Sequence, residues 1–190
     1  MSKITLYGFA GSTYVQTARL VCLEARQEYA LEPLEFGKPS HAALHPFLKM
    51  PVMRDGEIQL FESLAIATYI CENNASGSLI PGGMKNRCEM YSWVSAAIDY
   101  LYPTLVSGPL SKNIDMTTCG NYLSILNTNL EDKPWMAGPE ISLADLFIFP
   151  MVAFIEKQAP CDGERPFKKL DNWLDALKQR EGYLEIINDG

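Results

Sequence analysis

HPFLKMPVMRDGEIQLFESLAIATYI, residues 45–70, is the stretch whose reading decides the fold. Two short apolar alternations meet at Asp55-Gly56, a pair that marks a β-hairpin. Pro51 follows Met50 directly and favours an extended backbone there. Ser63 then precedes Leu64, Ala65, Ile66, Ala67, Tyr69 and Ile70, and is predicted to cap a helix. The expected result is a helix N-terminus beside an exposed bend, with Glu62 and Ser63 at its lip. Free backbone N–H groups and the helix dipole suit a carboxylate at such a lip, while Glu62 suits an ammonium. An α-amino acid head group carries both charges.

Composition removes several classes of function. The 190 residues carry a formal charge of -7, with a pI near 4.9. No basic stripe exists to displace the counterions of nucleic acid, so a nucleic-acid partner is not expected. The same charge argues against an anionic membrane surface, and no apolar run reaches the length of a membrane span. The opening MSKITLYGF reads as a strand rather than a leader peptide. Five scattered cysteines (Cys22, Cys71, Cys88, Cys119 and Cys161) fit free thiols in a reducing compartment better than a disulfide framework. A cytoplasmic location is expected. GFAGST, residues 8–13, lacks the Gly-Lys-Ser/Thr of a phosphate loop. His41 and His45 have no metal-site or triad spacing and are expected at the surface, and no metal is expected.

Taken in order, Lys3–Gly8 is a first strand, Phe9-Ala10-Gly11 a loop, and the run from Ser12 a helix with apolar residues at helical intervals. Leu31, Leu34 and Phe36 mark a second strand, whose Pro33 predicts an edge position. Gly37–Leu48 is a loop with a short helix. Residues 1–75 thus read β-α-β-α-β-β-α. Residues 76–86 lie in a Gly-, Ser- and Asn-rich tract with Pro81, expected to be a linker. Residues 87–190 read as an all-helical second domain. Arg87–Val106 should stop at Gly108-Pro109, and a shorter helix covers roughly Thr118–Leu130. A third begins at Ser142, with Asp145 at capping-box spacing. Its continuation is apolar on every side, predicting full burial, with a kink at Pro150. Phe167, Leu170, Trp173, Leu174 and Leu177 form a last amphipathic piece.

Pro51, Val52, Met53, Asp55, Gly56, Glu62, Ser63, Ala65 and Ile66 resemble, in this order and spacing, the glutathione-binding signature of the glutathione S-transferase family. Ser142-x-Ala144-Asp145 and Trp173-Leu174 resemble its second domain. The resemblance implies a thioredoxin-like domain followed by an all-helical one, here slightly shortened between Val106 and Trp135. It also implies glutathione as co-substrate, a small hydrophobic electrophile as partner, and a homodimer. Gly8–Thr13 is similar to the loop of the serine-type classes, phi above all, and this makes Ser12 the first candidate for thiol activation. Tyr7 stands where tyrosine-type relatives keep a phenol and is the second candidate; Thr13 would serve if the loop were one residue out of register. The plain alternative for Ser12, and for Ser63, is helix capping.

The same resemblance assigns Glu62 and Ser63 to the γ-glutamyl head and the Val52 backbone to the cysteinyl unit, next to a cis Met50–Pro51 bond. Lys49 would meet the glycyl carboxylate, against the alternative of a solvated lysine. The phi-type His-Lys pair is not reproduced; Lys38 or His41 could stand in. Phe9, Ala10, Tyr91, Val94 and Ile98 would line the electrophile pocket, though aromatic spacing on a helix is also a core pattern. A free thiol titrates near pH 8.5, and a hydroxyl donating to sulfur favours the thiolate. No Cys-x-x-Cys is present, which argues against dithiol exchange. Two functions remain open on the sequence: a transferase enzyme, and a non-catalytic binding or assembly module on the same fold.

Overall fold

The computed structural model describes residues 3–74, 79–158 and 166–189. The chain divides into two compact units, Met1–Leu79 with Leu184–Gly190, and Ile80–Tyr183.

In the first unit the elements are β1 (Ile4–Tyr7), α1 (Thr13–Glu24), β2 (Tyr29–Glu32), α2 (Pro39–Leu44), β3 (Val52–Asp55), β4 (Ile58–Phe61) and α3 (Ser63–Asn73). The four strands lie in the order β2-β1-β3-β4. β1 and β2 are parallel, while β3 is antiparallel to both β1 and β4. This is the thioredoxin-like arrangement. Pairing of Asp55 with Ile58 leaves Gly56 and Glu57 as the two turn residues. Gly56 has φ +56°, the positive value that short hairpin turns need and glycine adopts without a Cβ penalty.

Three expectations are corrected here. The second strand occupies Tyr29–Glu32, not the stretch around Leu34 and Phe36. It is an edge strand, and it ends just before Pro33, which has no N–H to offer the ladder; Phe36 is 54% exposed. His41 and His45 are buried rather than at the surface. Ser63 is the first residue of α3 rather than its cap; Glu62 occupies the capping position and makes no side-chain capping bond.

Alternation along β1 assigns the faces of the sheet. Ile4, Leu6 and Gly8 share one side. A Cβ on Gly8 would fall 2.5 Å from Cγ2 of Val15 in α1, so α1 covers that side. Ile4, Leu6, Val15, Met53, Ile66 and Ile70 are all buried. The C-terminal segment, which belongs to this unit, carries an ion pair to α1 between Arg19 and Asp189 at 2.8 Å.

The second unit contains α4 (Met84–Ala96), a π-helical segment Ala97–Ser107, α5 (Gly108–Leu110), α6 (Met116–Asn129), α7 (Leu143–Gln158) and α8 (Lys168–Lys178); α9 (Tyr183–Asn188) begins at its last residue. Helical structure therefore runs past the expected stop at Gly108-Pro109. Pro109 sits in the first turn of α5, where its missing N–H is no loss. Pro103 falls inside the π segment, where the Gly108 N–H reaches back to the Pro103 carbonyl. α6 starts two residues before the predicted Thr118, because Asp115 caps it through the N–H groups of Thr117 and Thr118, each at 3.1 Å.

α7 is buried from Leu143 through Ala153 and continues past Pro150 to Gln158. Its start is fixed by Asp145. One oxygen accepts the Ser142 N–H at 2.9 Å and the Ser142 hydroxyl at 3.0 Å; the other accepts the Met136 N–H and the Trp173 indole N–H, both at 2.9 Å. Burial pushes this carboxyl above its ordinary range, and the four donors oppose that rise. Four bonds satisfy a carboxylate that would otherwise be costly inside a protein.

No helix among the described residues is long and apolar enough to cross a membrane. Cys22, Cys71, Cys88 and Cys119 are free thiols; Cys161 lies outside the described residues. Burial pushes Cys22 up to about 12 and Cys71 up to about 11, so neither is a thiolate at neutral pH.

Candidate glutathione site

The loop between β1 and α1 and the residues flanking it present three hydroxyls in different ways. Ser12 precedes α1 with extended backbone (φ -72°, ψ 126°), and its side chain makes no capping hydrogen bond. Its N–H donates to the Phe9 carbonyl at 3.0 Å and its carbonyl accepts from the Gln16 N–H at 2.8 Å, so the main chain alone starts the helix. Thr13 is buried, and its Oγ1 has neither solvent contact nor a hydrogen-bond partner. Tyr7 points to the side of the sheet opposite α1, as it is one residue out of phase with Leu6 and Gly8. There the Arg54 guanidinium lies 5.9 Å from its ring centroid.

That loop is joined to the turn before β3. The Phe9 N–H lies 3.3 Å from Sδ of Met50, and Met50–Pro51 is a cis peptide. Gly8 lies beside the same residue: a Cβ there would be in ordinary contact with Met50, at 3.6 Å. Val52 follows as the first residue of β3, buried, opposite Tyr7 on one side and Phe61 on the other. Lys49 is exposed.

Glu62 is exposed and has φ +72°, a conformation that costs a non-glycine residue about 1–3 kcal/mol and persists only where surroundings enforce it. It turns the chain sharply between β4 and α3, so that the first turn of α3 opens directly after it. Ser63 is 7% exposed.

The sequence reading missed the two histidines beneath this surface. His45 accepts the Phe47 N–H on Nδ1 at 3.2 Å and lies 4.9 Å, centroid to centroid, from Phe61. Burial lowers its pKa, Glu62 pulls it up, and His41 and Lys49 lower it further. Glu62 and Lys49 are therefore both within electrostatic reach of one ring, although they are 13 positions apart in the chain. The available signal was local: a histidine two residues before a turn N–H offers the acceptor that Asn or Asp usually supplies. His41 uses both ring nitrogens on backbone groups and so does not stand in as a ligand for the absent His-Lys pair.

Of the residues expected to face an electrophile, Phe9 is exposed and Ala10 half-buried in the first unit. In the second, Tyr91 is half-buried and Ile98 is 37% exposed. Val94 has no accessible surface, which corrects its expected place on a pocket wall: α4 packs against α7, and Val94 belongs to that core. An apolar cavity of about 250 Å³ lies within the second unit, with Cys119, Leu123, Val152, Ile155, Phe167 and Leu174 among its walls. None of the expected site residues borders it. Among the described residues no group of three or more His, Cys, Asp or Glu is placed to hold a metal.

The family model for the glutathione S-transferase N-terminal domain matches residues 6–78, and that for the C-terminal domain matches residues 98–181. Glutathione S-transferase 1 of Triticum aestivum is 26% identical over 98% of this chain and 94% of its own. The crystal structure of glutathione transferase F7 from Populus trichocarpa shares the fold with a TM-score of 0.81 at 22% identity, covering 98% of each chain. A glutathione transferase homologue from Drosophila mojavensis, solved with bound glutathione, does so with a TM-score of 0.86 at 17% identity, covering all of this chain and 96% of its own. With both domains matched in chain order, the protein belongs to the glutathione S-transferase family.

Proposed function

We infer that the protein is a glutathione transferase that binds glutathione in the first unit and holds its sulfur as a thiolate beside Ser12. The observation that carries this reading is the Ser12 hydroxyl, left out of helix capping on a loop held against Met50 and the cis Pro51. A donor to the sulfur favours its charged form, and the N-terminus of α1 adds in the same direction. The inaccessible Thr13 hydroxyl and the opposite-facing Tyr7 support Ser12 over both alternatives. Glu62 takes the γ-glutamyl ammonium, and Ser63 with the opening turn of α3 takes its carboxylate. The Val52 backbone pairs with the cysteinyl unit, next to Met50 and Pro51, and Lys49 meets the glycyl carboxylate.

In the reaction the thiol proton leaves to solvent. The sulfur lone pair then forms a bond to an electrophilic carbon, which expels its leaving group with the bonding pair or passes that pair on to be protonated. Phe9, Ala10, Tyr91 and Ile98 are the residues assigned to an apolar electrophile. A homodimer is assigned from the family, with Phe47, which is 69% exposed and braced by His45 and Phe61, as the residue assigned to the contact. Buried free thiols at Cys22 and Cys71 are consistent with a cytoplasmic protein.

The test is the thiolate absorbance of glutathione, titrated against pH with and without the protein. One hydrogen bond to a charged sulfur is worth about 1.5–3 kcal/mol, so the bound thiol should ionise about one to two units lower. Ser12→Ala should return most of that shift. Binding with no shift in the wild type would leave a glutathione-binding module without thiol activation.

A further inference from the structure

His41 is fully buried at the third position of α2, edge-on to Phe36 with ring centroids 4.9 Å apart. Its Nδ1 lies 3.3 Å from the Gly37 N–H, and its Nε2 lies 3.1 Å from the Lys49 carbonyl oxygen. The first contact fixes the second. A backbone N–H only donates, so Nδ1 is the acceptor; a neutral imidazole then carries its proton on Nε2, where a carbonyl receives it. The ring is thus a one-way strut from the start of α2 to the main chain of Lys49, two residues before the cis Pro51. The intervening loop needs such a strut. Leu48 adopts φ +52°, a conformation that L side chains resist, and Phe47 and Lys49 are both exposed.

We propose that His41 is a positioning residue for glutathione recognition: it holds the Lys49 backbone so that the ammonium meets the glycyl carboxylate. This rests on the assignment of Lys49 to that carboxylate. His41 never touches the ligand. It removes, before binding, the freedom of the segment that presents the cation, and preorganisation of this kind acts on affinity rather than on the chemical step.

The experiment compares glutathione with γ-glutamylcysteine, which lacks the glycyl carboxylate, using His41→Asn, His41→Gln and Lys49→Ala in the full chain. Asn can still accept from Gly37 but is too short to reach Lys49; Gln can place an amide N–H where Nε2 was. His41→Asn should raise KM for glutathione about three- to tenfold, the worth of one net hydrogen bond. KM for γ-glutamylcysteine and kcat should not change, and His41→Gln should recover most of the loss. His41→Phe, which fills the ring's space, reads the same loss should His41→Asn not fold. Equal weakening of both thiols, or no weakening, overturns the positioning role while Lys49→Ala still weakens glutathione selectively. A Lys49→Ala protein that does not distinguish the two thiols removes the Lys49 assignment itself, and the positioning role with it.

Discussion

Gly8 and Val15 approach so closely that a single Cβ on the glycine would lie 2.5 Å from the valine Cγ2. Gly8 follows the first strand and opens the loop to Ser12, so the contact sets where that loop begins. Gly8→Ala should cost about 1–3 kcal/mol of stability, the usual range for one inserted methyl in a packed site. It should also lower glutathione affinity, because the loop must lift away from α1. Val15→Ala in the same chain should restore part of both losses, read by denaturant unfolding and by KM. A double variant no better than Gly8→Ala alone would mean that the methyl meets something other than Val15.

Thr13 and Ser12 are neighbours with opposite expectations. The Thr13 Oγ1 is sealed from solvent without a partner, and an unsatisfied buried polar group costs about 1–3 kcal/mol. Thr13→Val keeps the shape and removes the hydroxyl, so its midpoint of thermal unfolding should be unchanged or higher, with activity within about twofold of wild type. Tyr7→Phe should also leave the ionisation of bound glutathione in place. A large loss of thiol activation in either variant would move the sulfur's donor away from Ser12.

The β-α-β-α-β-β-α order was legible because its signals are local: Asp55-Gly56 and the periodicity after Ser12; Pro33, placed inside the second strand, instead follows its end. The residues 45–70 show where such reading ends. Ser63 looked like a cap on composition, yet Glu62 takes that place with φ +72°. A strained backbone at a functional turn is held by its surroundings rather than by its own propensity. His41 and His45 looked like surface residues because histidine spacing says nothing about burial. Their partners, the Lys49 carbonyl and the Phe61 ring, are supplied by the tertiary fold. Pro109 misled in the other direction: it opens a new first turn instead of stopping the helix.

His45 gives a pH dependence of definite sign. Burial holds its pKa below the ordinary value of about 6.5. As pH falls through that value the unfolded chain takes up a proton that the folded chain refuses, so stability drops on acidification and recovers above it. His45→Asn keeps an acceptor for the Phe47 N–H and removes the titration. Its stability between pH 7 and the lower end of the histidine range, by urea unfolding, should fall less steeply than that of the wild type. Parallel curves would show that His45 titrates alike in both states.

Glu62 should show stability and function pulling apart. Glycine occupies φ +72° without the steric cost that a glutamate pays, so Glu62→Gly relieves strain worth about 1–3 kcal/mol while adding about 0.5–1 kcal/mol of unfolded-chain entropy. The variant should therefore match or exceed the wild type in urea. At the same time it loses the carboxylate assigned to the γ-glutamyl ammonium, and a hydrogen bond to a charged group is worth about 1.5–3 kcal/mol. Glutathione affinity should fall about tenfold or more, measured by calorimetry. Glu62→Gln separates the two effects, since it keeps the backbone strain and removes only the charge: its stability should stay at the wild-type level while its affinity falls. If Glu62→Gln binds glutathione as tightly as the wild type, the carboxylate is not the ammonium's partner, and the strained turn serves only to open α3.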